Sequence, residues 1–405
     1  MLPRVVVTGV GVITSIGVGW RMFWSNALEG VCGISEVASL NTTNYRVHRG
    51  GEIAGFNANE YVKTQDLREM GRTSQLAIAA ARMAINDSGF ASDETKSARV
   101  GVCMGTTTGE APVVERFNDR LMDGMPDNAG SKFVFQYPCH TIAVHIAREF
   151  GFNGINLVIP AACAAGNYAI AHAYDVLRTG RADVMLAGGA DAFSRITFTG
   201  FARLGAISPD LCRPFDRNRK GMIPGEGAAI LVLETMDHAS RRNAQVYAEV
   251  AGYGLTCDAH HMTAAHPTGE GAARAMRCAL RNSRLNYQDV HYISAHGTGT
   301  KLSDVVETKA VKSVFQDVAY GTPMSSIKSM IGHTMGAASA IEAVTCALAI
   351  KHQRIPPTIN WQSHDPECDL DYVTTGAREH NVEVAMNNAY AFGGNNASVI
   401  FKRVG

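Results

Sequence analysis

The sequence lacks the features that mark several broad classes of protein. Lysine plus arginine and aspartate plus glutamate both number 37, so the net charge does not favour a nucleic-acid partner. The most apolar long stretch, residues 155–177, is too polar to span a bilayer because it contains Pro160, Asn167, His172 and Asp175. We therefore expect neither a nucleic-acid partner nor a membrane partner.

The sequence also lacks a disulfide framework and a targeting segment. Its nine cysteines include no Cys-x-x-Cys pair, and an odd number in a chain of this size is typical of a reducing compartment. The opening MLPRVVVTGVGVIT predicts a β-strand from Arg4 onward and has none of the regions of a signal peptide. These features predict a cytoplasmic protein without a zinc cluster.

Short β-branched runs alternate with helical stretches along the chain, which is typical of layered α/β architecture. The alternation predicts strands at Val5–Val7, Val100–Met104, Val184–Ala187, Ala229–Leu233 and Tyr292–Ser294, and helices at Ser74–Ser88 and Gly269–Asn282. No linker rich in proline, glycine and serine separates domains.

One pair of segments suggests an internal repeat. Residues 160–182 and 329–354 both run from a turn of small residues into an alanine-rich helix. Two halves of similar plan would explain this pairing. Alanine-rich helices with glycine-rich starts are also common in packed α/β proteins, so the segments alone leave both explanations open.

Cys163 is a candidate nucleophile. It lies in PAACAAG (160–166), where small neighbours leave the sulfur uncrowded and good helix formers follow. The positive end of a helix lowers the pKa of a thiol, and the thiolate is the form that attacks thioesters. A small buried apolar residue is the commonest role of a free cysteine, and this segment alone does not exclude it.

Two histidines lie in glycine-rich loops. His296 follows a predicted strand in SAHGTGT (294–300), and His333 precedes a predicted helix in KSMIGHTMGA (328–337). A helix N-terminus disfavours the protonated imidazole, and a neutral histidine can donate a hydrogen bond to an anionic oxygen. Taken singly, each histidine is equally compatible with a capping or packing role.

Eight ordered motifs span nearly the whole chain and give these residues a context. They are TGVGVIT, AACAAG, RADVMLAGGAD, RPFDRNRKGMIPGEGAA, AHGTGTKLSDVVETKAV, SSIKSMIGHTMGAA, PPTIN and AFGGNN. In these motifs the sequence resembles the elongating β-ketoacyl-acyl-carrier-protein synthases.

The resemblance implies an α/β thiolase-like fold, in which two similar halves form a five-layered αβαβα arrangement. Residues 1–250 would be the N-terminal half with the nucleophilic cysteine, and residues 251–405 the C-terminal half with both catalytic histidines. It further implies a dimer, either of two identical chains or with a related ketosynthase-like subunit. Substrates would arrive on the phosphopantetheine arm of acyl carrier protein, and no tightly bound cofactor and no metal are expected.

The implied reaction is an acyl transfer followed by a decarboxylative Claisen condensation, in fatty acid or polyketide biosynthesis. Cys163 would accept the acyl group, while His296 and His333 promote loss of carbon dioxide from the malonyl unit and stabilise the enolate. Lys328 would support the histidines through a salt link to Glu342.

The remaining site residues follow from the same motifs. The backbone N–H groups of Cys163 and Phe392 would form an oxyanion hole. The other implied roles are phosphopantetheine binding by Thr298 and Thr300, support by Asp304 and Glu307, a gate at Ala391, Phe392 and Gly393, and an acyl pocket lined by Thr108, Gln136, Phe198 and Phe201.

Two residues depart from the family pattern. Ala165 stands where relatives commonly carry serine or threonine, and Ala391 stands where glycine normally precedes the gating phenylalanine, so the gate loop should be stiffer. Together with the polar pocket residues Thr108 and Gln136, these departures favour a dedicated polyketide or unusual-fatty-acid pathway over housekeeping synthesis.

Three alternatives are distinguishable from the sequence. A degradative thiolase would need a second catalytic cysteine near the C-terminus, and a chain-initiating synthase would pair the cysteine with histidine and asparagine. A catalytically silent, chain-length-determining subunit would have lost the cysteine, which is present here as Cys163.

A basic face is a candidate for docking the acidic carrier protein. Lys63, Arg68 and Arg72 would form it, although the neighbouring Glu60, Asp66 and Glu69 are equally consistent with an ordinary solvated surface.

Overall fold

The computed structural model of the protein describes residues 2–90, 99–125 and 129–405, without the side chains of residues 129–132. The strands in these residues are β1 Val5–Thr14, β2 Gly17–Val18, β3 Ser35–Glu36, β4 Arg49–Gly50, β5 Val100–Gly105, β6 Asn156–Ile159, β7 Val184–Asp191, β8 Gly227–Thr235, β9 Ala248–Cys257, β10 Tyr292–Ser294, β11 Met324–Ser325, β12 Arg354–Ile355, β13 Arg378–Glu379, β14 Val384–Tyr390 and β15 Asn395–Lys402.

The α-helices in the same residues connect these strands. They are α1 Trp20–Glu29, α2 Arg72–Ser88, α3 Ala111–Met122, α4 Ala129–Gln136, α5 Thr141–Phe150, α6 Ala165–Arg178, α7 Arg195–Arg203, α8 Met236–Arg241, α9 Glu270–Ser283, α10 Lys301–Phe315, α11 Lys328–Ile331 and α12 Ala338–His352. All predicted strands and both predicted helices are confirmed; their ends agree within two residues, except that β1 and β7 run seven and four residues further, to Thr14 and Asp191.

Two sets of five strands have the same topology. The order of the first set is β6-β5-β7-β8-β1, and that of the second is β11-β10-β14-β15-β9. Numbered within each set, both orders read 3-2-4-5-1, and in both sets strand 2 is parallel to its neighbours while strand 5 is antiparallel to its own. The two sets join where Val5, Val6 and Val7 pair antiparallel with residues 248–250. The repeat suggested by the two alanine-rich segments is therefore a repeat of the whole layered unit.

Helices α6 and α12 form the central layer between the two sets of strands. Both helices contact strands of both sets, whereas α2 with α5 and α9 with α10 lie on the outer faces. In α12 every residue from Ala338 to Ile350 is buried, which is typical of a helix enclosed on all sides. A Cβ atom at Gly166 would lie 2.6 Å from the backbone nitrogen of Ala340, so glycine is required where the two helices cross.

Corresponding turns precede the two central helices. A 3-10 turn at Ala162–Ala164 leads into α6, and another at Met335–Ala337 leads into α12. The first residue of each turn has a positive φ, 48° at Ala162 and 53° at Met335. The repeat thus extends to the backbone conformation of the two turns, of which the first contains Cys163 and the second begins two residues after His333.

The predicted division between residues 250 and 251 falls inside β9. Among the helices described here, none has both the length and the hydrophobicity that a bilayer-spanning segment needs.

Candidate active site

The three candidate catalytic side chains meet in one cavity of about 270 Å³ where the two halves join. Cys163 comes from the turn before α6, His296 from the loop after β10 and His333 from the turn before α12. The rings of His296 and His333 are 5.6 Å apart, centroid to centroid. The other predicted residues that line this cavity are Thr298, Thr300, Ala391, Phe392 and Phe201.

The thiol of Cys163 is buried, with 7% of the residue exposed. Burial raises the pKa of Cys163 to about 12, although the charge of Lys328 and the backbone N–H groups of Cys163 and Phe392 act in the opposite direction. Burial has the largest effect among these causes, and the expectation that the helix end lowers this pKa stays a prediction. Both N–H groups of the predicted oxyanion hole nevertheless point toward the sulfur.

His333 is held in a defined tautomer. Its Nδ1 atom accepts a hydrogen bond of 3.2 Å from the backbone N–H of Met335, so Nδ1 carries no proton and Nε2 does. The Nε2 atom is buried and has no hydrogen-bond partner among the described residues. Burial and the charge of Lys328 hold the pKa of His333 well below its usual value. The residue therefore presents a neutral N–H donor to the cavity.

Buried carboxylates hold the loop that carries His296. Glu307 accepts hydrogen bonds of 2.8 Å from the backbone N–H groups of both His296 and Gly297. Asp304 accepts one of 3.1 Å from Gly299 and one of 2.7 Å from Phe215. The predicted supporting residues Asp304 and Glu307 thus fix the path of the loop through its backbone N–H groups and do not line the cavity.

His296 is also neutral. Burial, followed by the charges of Lys328 and His333, holds the pKa of His296 well below its usual value. Its Nδ1 atom is buried without a hydrogen-bond partner in the described part of the chain.

Lys328 connects the two histidine loops. Its Nζ atom donates a hydrogen bond of 2.6 Å to the carbonyl oxygen of His296 and forms a buried ion pair with Glu342 on α12. The position of Glu342 agrees with the salt link that the sequence predicts. Removing one partner would leave the other charge buried alone, which is strongly destabilising.

Two of the three predicted gate residues, Ala391 and Phe392, line the cavity. The Phe392 ring is 5.5 Å from that of Phe201, and about a third of Phe392 is exposed. The backbone N–H of Gly393, whose φ is 81°, donates to the carbonyl oxygen of Met262 at 2.8 Å. The backbone N–H of Ala391 donates to Asn395 at 2.9 Å, so both sides of the gate are attached to neighbouring backbone.

Comparison with known proteins identifies the family. The family described as beta-ketoacyl synthase, N-terminal domain, matches residues 3–239, and the one described as beta-ketoacyl synthase, C-terminal domain, matches residues 247–362. The chain belongs to the β-ketoacyl synthase family.

Relatives and solved structures agree with this family over the full length. The chain is 39% identical to 3-oxoacyl-[acyl-carrier-protein] synthase 2 of Staphylococcus aureus (strain COL), across 99% of this chain and 98% of that protein. The corresponding Synechocystis protein is 38% identical over 99% of this chain and 98% of that protein. A solved structure described as the ishigamide ketosynthase/chain length factor is 40% identical and superimposes with a TM-score of 0.96, covering 100% of both chains.

Three of the four predicted acyl-pocket residues lie outside the cavity of this β-ketoacyl synthase. Phe198 is fully buried and packs on Tyr45 with ring centroids 5.2 Å apart. The Thr108 side chain donates to Asp191, and Gln136 donates to the carbonyl oxygen of Arg68 at the surface. Only Phe201 lines the cavity, because it points toward the gate from α7.

Asp191 is a site residue that the sequence analysis missed. It accepts hydrogen bonds from Thr106 Oγ1 at 2.7 Å, from the backbone N–H of Thr107 at 2.7 Å and from the backbone N–H of Gly336 at 2.6 Å. It thereby ties the loop after β5 to the turn that follows His333. A charged residue at the end of the otherwise apolar strand β7 was the available signal.

The predicted basic docking face is only partly available in this synthase. Arg72 forms an ion pair of 2.7 Å with the buried Glu226, and Arg68 forms one of 2.6 Å with Asp66. Arg72 is therefore half-buried and engaged by Glu226, and the docking face stays a prediction. Among the described residues, no group of histidine, cysteine and acidic side chains is arranged to hold a metal ion.

Proposed function

We propose that the protein joins an acyl group carried on Cys163 to a malonyl unit, with loss of carbon dioxide, to give a β-ketoacyl product on acyl carrier protein. The observation that carries the proposal is the convergence of one thiol and two neutral imidazoles in a single buried cavity. These are the groups needed to hold an acyl thioester and to stabilise an enolate beside it.

In the first step the Cys163 sulfur attacks the carbonyl carbon of the incoming acyl thioester. Because burial raises the thiol's pKa to about 12, the thiol must lose its proton as the bond forms. His296 is the imidazole available as acceptor, since His333 already carries its proton on Nε2. The proton then passes to the departing pantetheine sulfur, and the N–H groups of Cys163 and Phe392 stabilise the tetrahedral oxyanion.

In the second step the malonyl carboxylate leaves as carbon dioxide. The electron pair left behind forms an enolate whose oxygen accepts hydrogen bonds from the imidazoles, in particular from His333 Nε2–H. The enolate carbon attacks the acyl carbonyl, the Cys163 sulfur leaves as a thiolate, and the thiolate takes up a proton from solvent. Neutral donors suit this step because they are preorganised and buried.

The path to the cavity suits a phosphopantetheine arm. Thr298 and Thr300 line it, and their hydroxyl oxygens are 3.2 Å apart. One solved relative, 32% identical, is described as a type II acyl-carrier protein in complex with its ketosynthase. We propose acyl carrier protein as the partner here, and His296, His333, Thr298, Thr300 and Lys328 in the roles that the resemblance implies.

A second function is considered because two structural relatives pair a ketosynthase with a chain length factor. A silent subunit of this kind would have no need of a nucleophile facing two neutral histidines. The intact cavity supports the condensing role over this alternative.

Intact-mass measurement after incubation with acyl carriers tests the proposed function. We expect one covalent acyl adduct per chain on Cys163, discharged when malonyl carrier is added, with a β-ketoacyl product formed. A protein that takes up no acyl group from any carrier would contradict the condensing role and favour the silent subunit. The same assay with saturated and unsaturated chains of several lengths tests the specialised pathway. Efficient turnover of long saturated chains, and of no others, would exclude that pathway.

We also propose that the protein forms a dimer through the outer edge of β6. This strand pairs with β5 on one side only, and Leu157 is 37% exposed. Nearby, α4 and α5 expose Val134, Phe135 and Val144. An apolar edge strand of this kind needs a covering partner, and pairing across a two-fold axis would supply one.

A charge placed on this edge should separate the subunits. We expect Leu157→Asp combined with Phe135→Ser to reduce the mass in solution from about twice 43.3 kDa to that of one chain, measured by light scattering. Val318→Asp is the matched control, because Val318 is an exposed apolar residue of the second half. If the wild-type protein is a monomer alone but associates with a related subunit, the homodimer is contradicted and the assembly is a heterodimer.

A further inference from the structure

Tyr390 is a buried residue of the cavity that has no part in the proposed condensation steps. It ends β14, two residues before the gate residue Phe392, and lines the cavity together with Cys163 and His296. Only 8% of the residue is exposed, and its hydroxyl has no hydrogen-bond partner within residues 2–90, 99–125 and 129–405.

Three other buried tyrosines differ from Tyr390 because their hydroxyls have hydrogen-bond partners. The hydroxyl of Tyr292 lies 2.9 Å from Ser325 Oγ, that of Tyr372 lies 2.7 Å from Thr308 Oγ1, and that of Tyr247 donates to Asp87 at 2.8 Å. A buried hydroxyl without a partner costs stability, so its presence beside reacting groups suggests a partner that arrives with the substrate.

The surroundings keep the Tyr390 hydroxyl protonated. Burial, together with the charges of Glu307 and Asp258, raises the pKa of Tyr390 well above its ordinary value. The group is therefore available as a hydrogen-bond donor at any physiological pH.

The position of the ring indicates which substrate it meets. Its centroid is 5.7 Å from that of His296, and both residues line the cavity. Under the proposed function, His296 and His333 hold the malonyl unit, whereas the acyl group is attached to Cys163. The tyrosine therefore lies beside the extender unit.

We propose that the Tyr390 hydroxyl donates a hydrogen bond to an oxygen of the malonyl extender unit while that unit is held against His296. The inference rests on the proposed condensation. Two oxygens of the extender offer the same chemistry, the free carboxylate and the thioester carbonyl.

Tyr390→Phe tests this assignment because it removes one oxygen atom and keeps the ring. We expect kcat/KM for the malonyl carrier to fall by about tenfold or more, as loss of a hydrogen bond to a charged group does. Acylation of Cys163, followed by intact mass, should change less than twofold. The Tm should stay the same or rise, because the substitution removes an unpaired buried polar atom.

Tyr247→Phe is the matched control. Its hydroxyl is bonded to Asp87 outside the cavity, so we expect its loss to lower the Tm and to leave kcat/KM for the malonyl carrier unchanged. A Tyr390→Phe enzyme with unchanged kcat/KM, or one whose only defect is a lower Tm, would overturn the proposal.

Binding measurements separate the two oxygens. The background is Cys163→Ala/His333→Ala, because Cys163→Ala alone would decarboxylate the malonyl probe. In it, Tyr390→Phe should weaken the binding of malonyl-pantetheine alone if the carboxylate is the acceptor, and the binding of acetyl-pantetheine as well if the thioester carbonyl is. No change for either probe would overturn the proposal. A wild-type protein that forms no acyl adduct would instead refute the condensation on which the inference rests.

Discussion

Cys163→Ala is expected to abolish carbon–carbon bond formation while the protein continues to release carbon dioxide from malonyl carrier. Removal of the nucleophile of a covalent enzyme costs roughly 10⁴-fold or more in rate. The histidines that hold the enolate oxygen are attached to other elements, His296 through Glu307 and Lys328 and His333 through Met335. Their arrangement should therefore survive the loss of the sulfur. The two activities are measured by product mass and by carbon dioxide release.

Cys103→Ala is the matched control for this prediction. Cys103 is a fully buried free cysteine of β5 that does not line the cavity. Its replacement should lower stability through a small cavity but leave the acyl adduct and condensation in place. A Cys163→Ala enzyme that still forms the carbon–carbon bond would contradict the covalent mechanism.

The strands and helices were predictable because burial leaves a strong pattern in this chain. All ten residues of β1 are buried, and its β-branched run signals a central strand directly. The repeat was only suggested by residues 160–182 and 329–354, since its decisive evidence is the common 3-2-4-5-1 strand order, which has no local sequence signal. Side-by-side placement of α6 and α12 follows from that order.

That Cys163, His296 and His333 belong to one site was predictable from motifs, whereas the pocket lining was not. Phe198 and Phe201 both lie on α7, yet one faces the core beside Tyr45 and the other faces the gate. Which face a short helix turns toward a cavity depends on packing with distant segments, and no nearby residue indicates it. The burial of Cys163 could not be predicted for a related reason, because it depends on the loops that close over the thiol.

Asp191 and Tyr390 were missed because their roles exist only in three dimensions. Asp191 joins two loops from different halves, and Tyr390 is distinguished by a partner that its hydroxyl lacks among the described residues. Neither property is visible in a residue's immediate neighbours.

His333→Ala should lower malonyl decarboxylation by about 10²- to 10³-fold, the usual cost of removing one preorganised donor to a developing oxyanion. The structure gives a specific reason, since the Met335 N–H bond to Nδ1 places the proton on Nε2, the atom that faces the cavity. His333→Gln provides the matched variant, because its side-chain amide can present an N–H near the position of Nε2. We expect it to retain more decarboxylation than His333→Ala, measured in a Cys163→Ala background so that condensation does not interfere. With Cys163 restored, acyl transfer to it should persist in both His333 variants, because the oxyanion N–H groups belong to Cys163 and Phe392. Decarboxylation by His333→Ala at the wild-type rate would show that the enolate oxygen is held elsewhere, and His296 would then be the donor to replace.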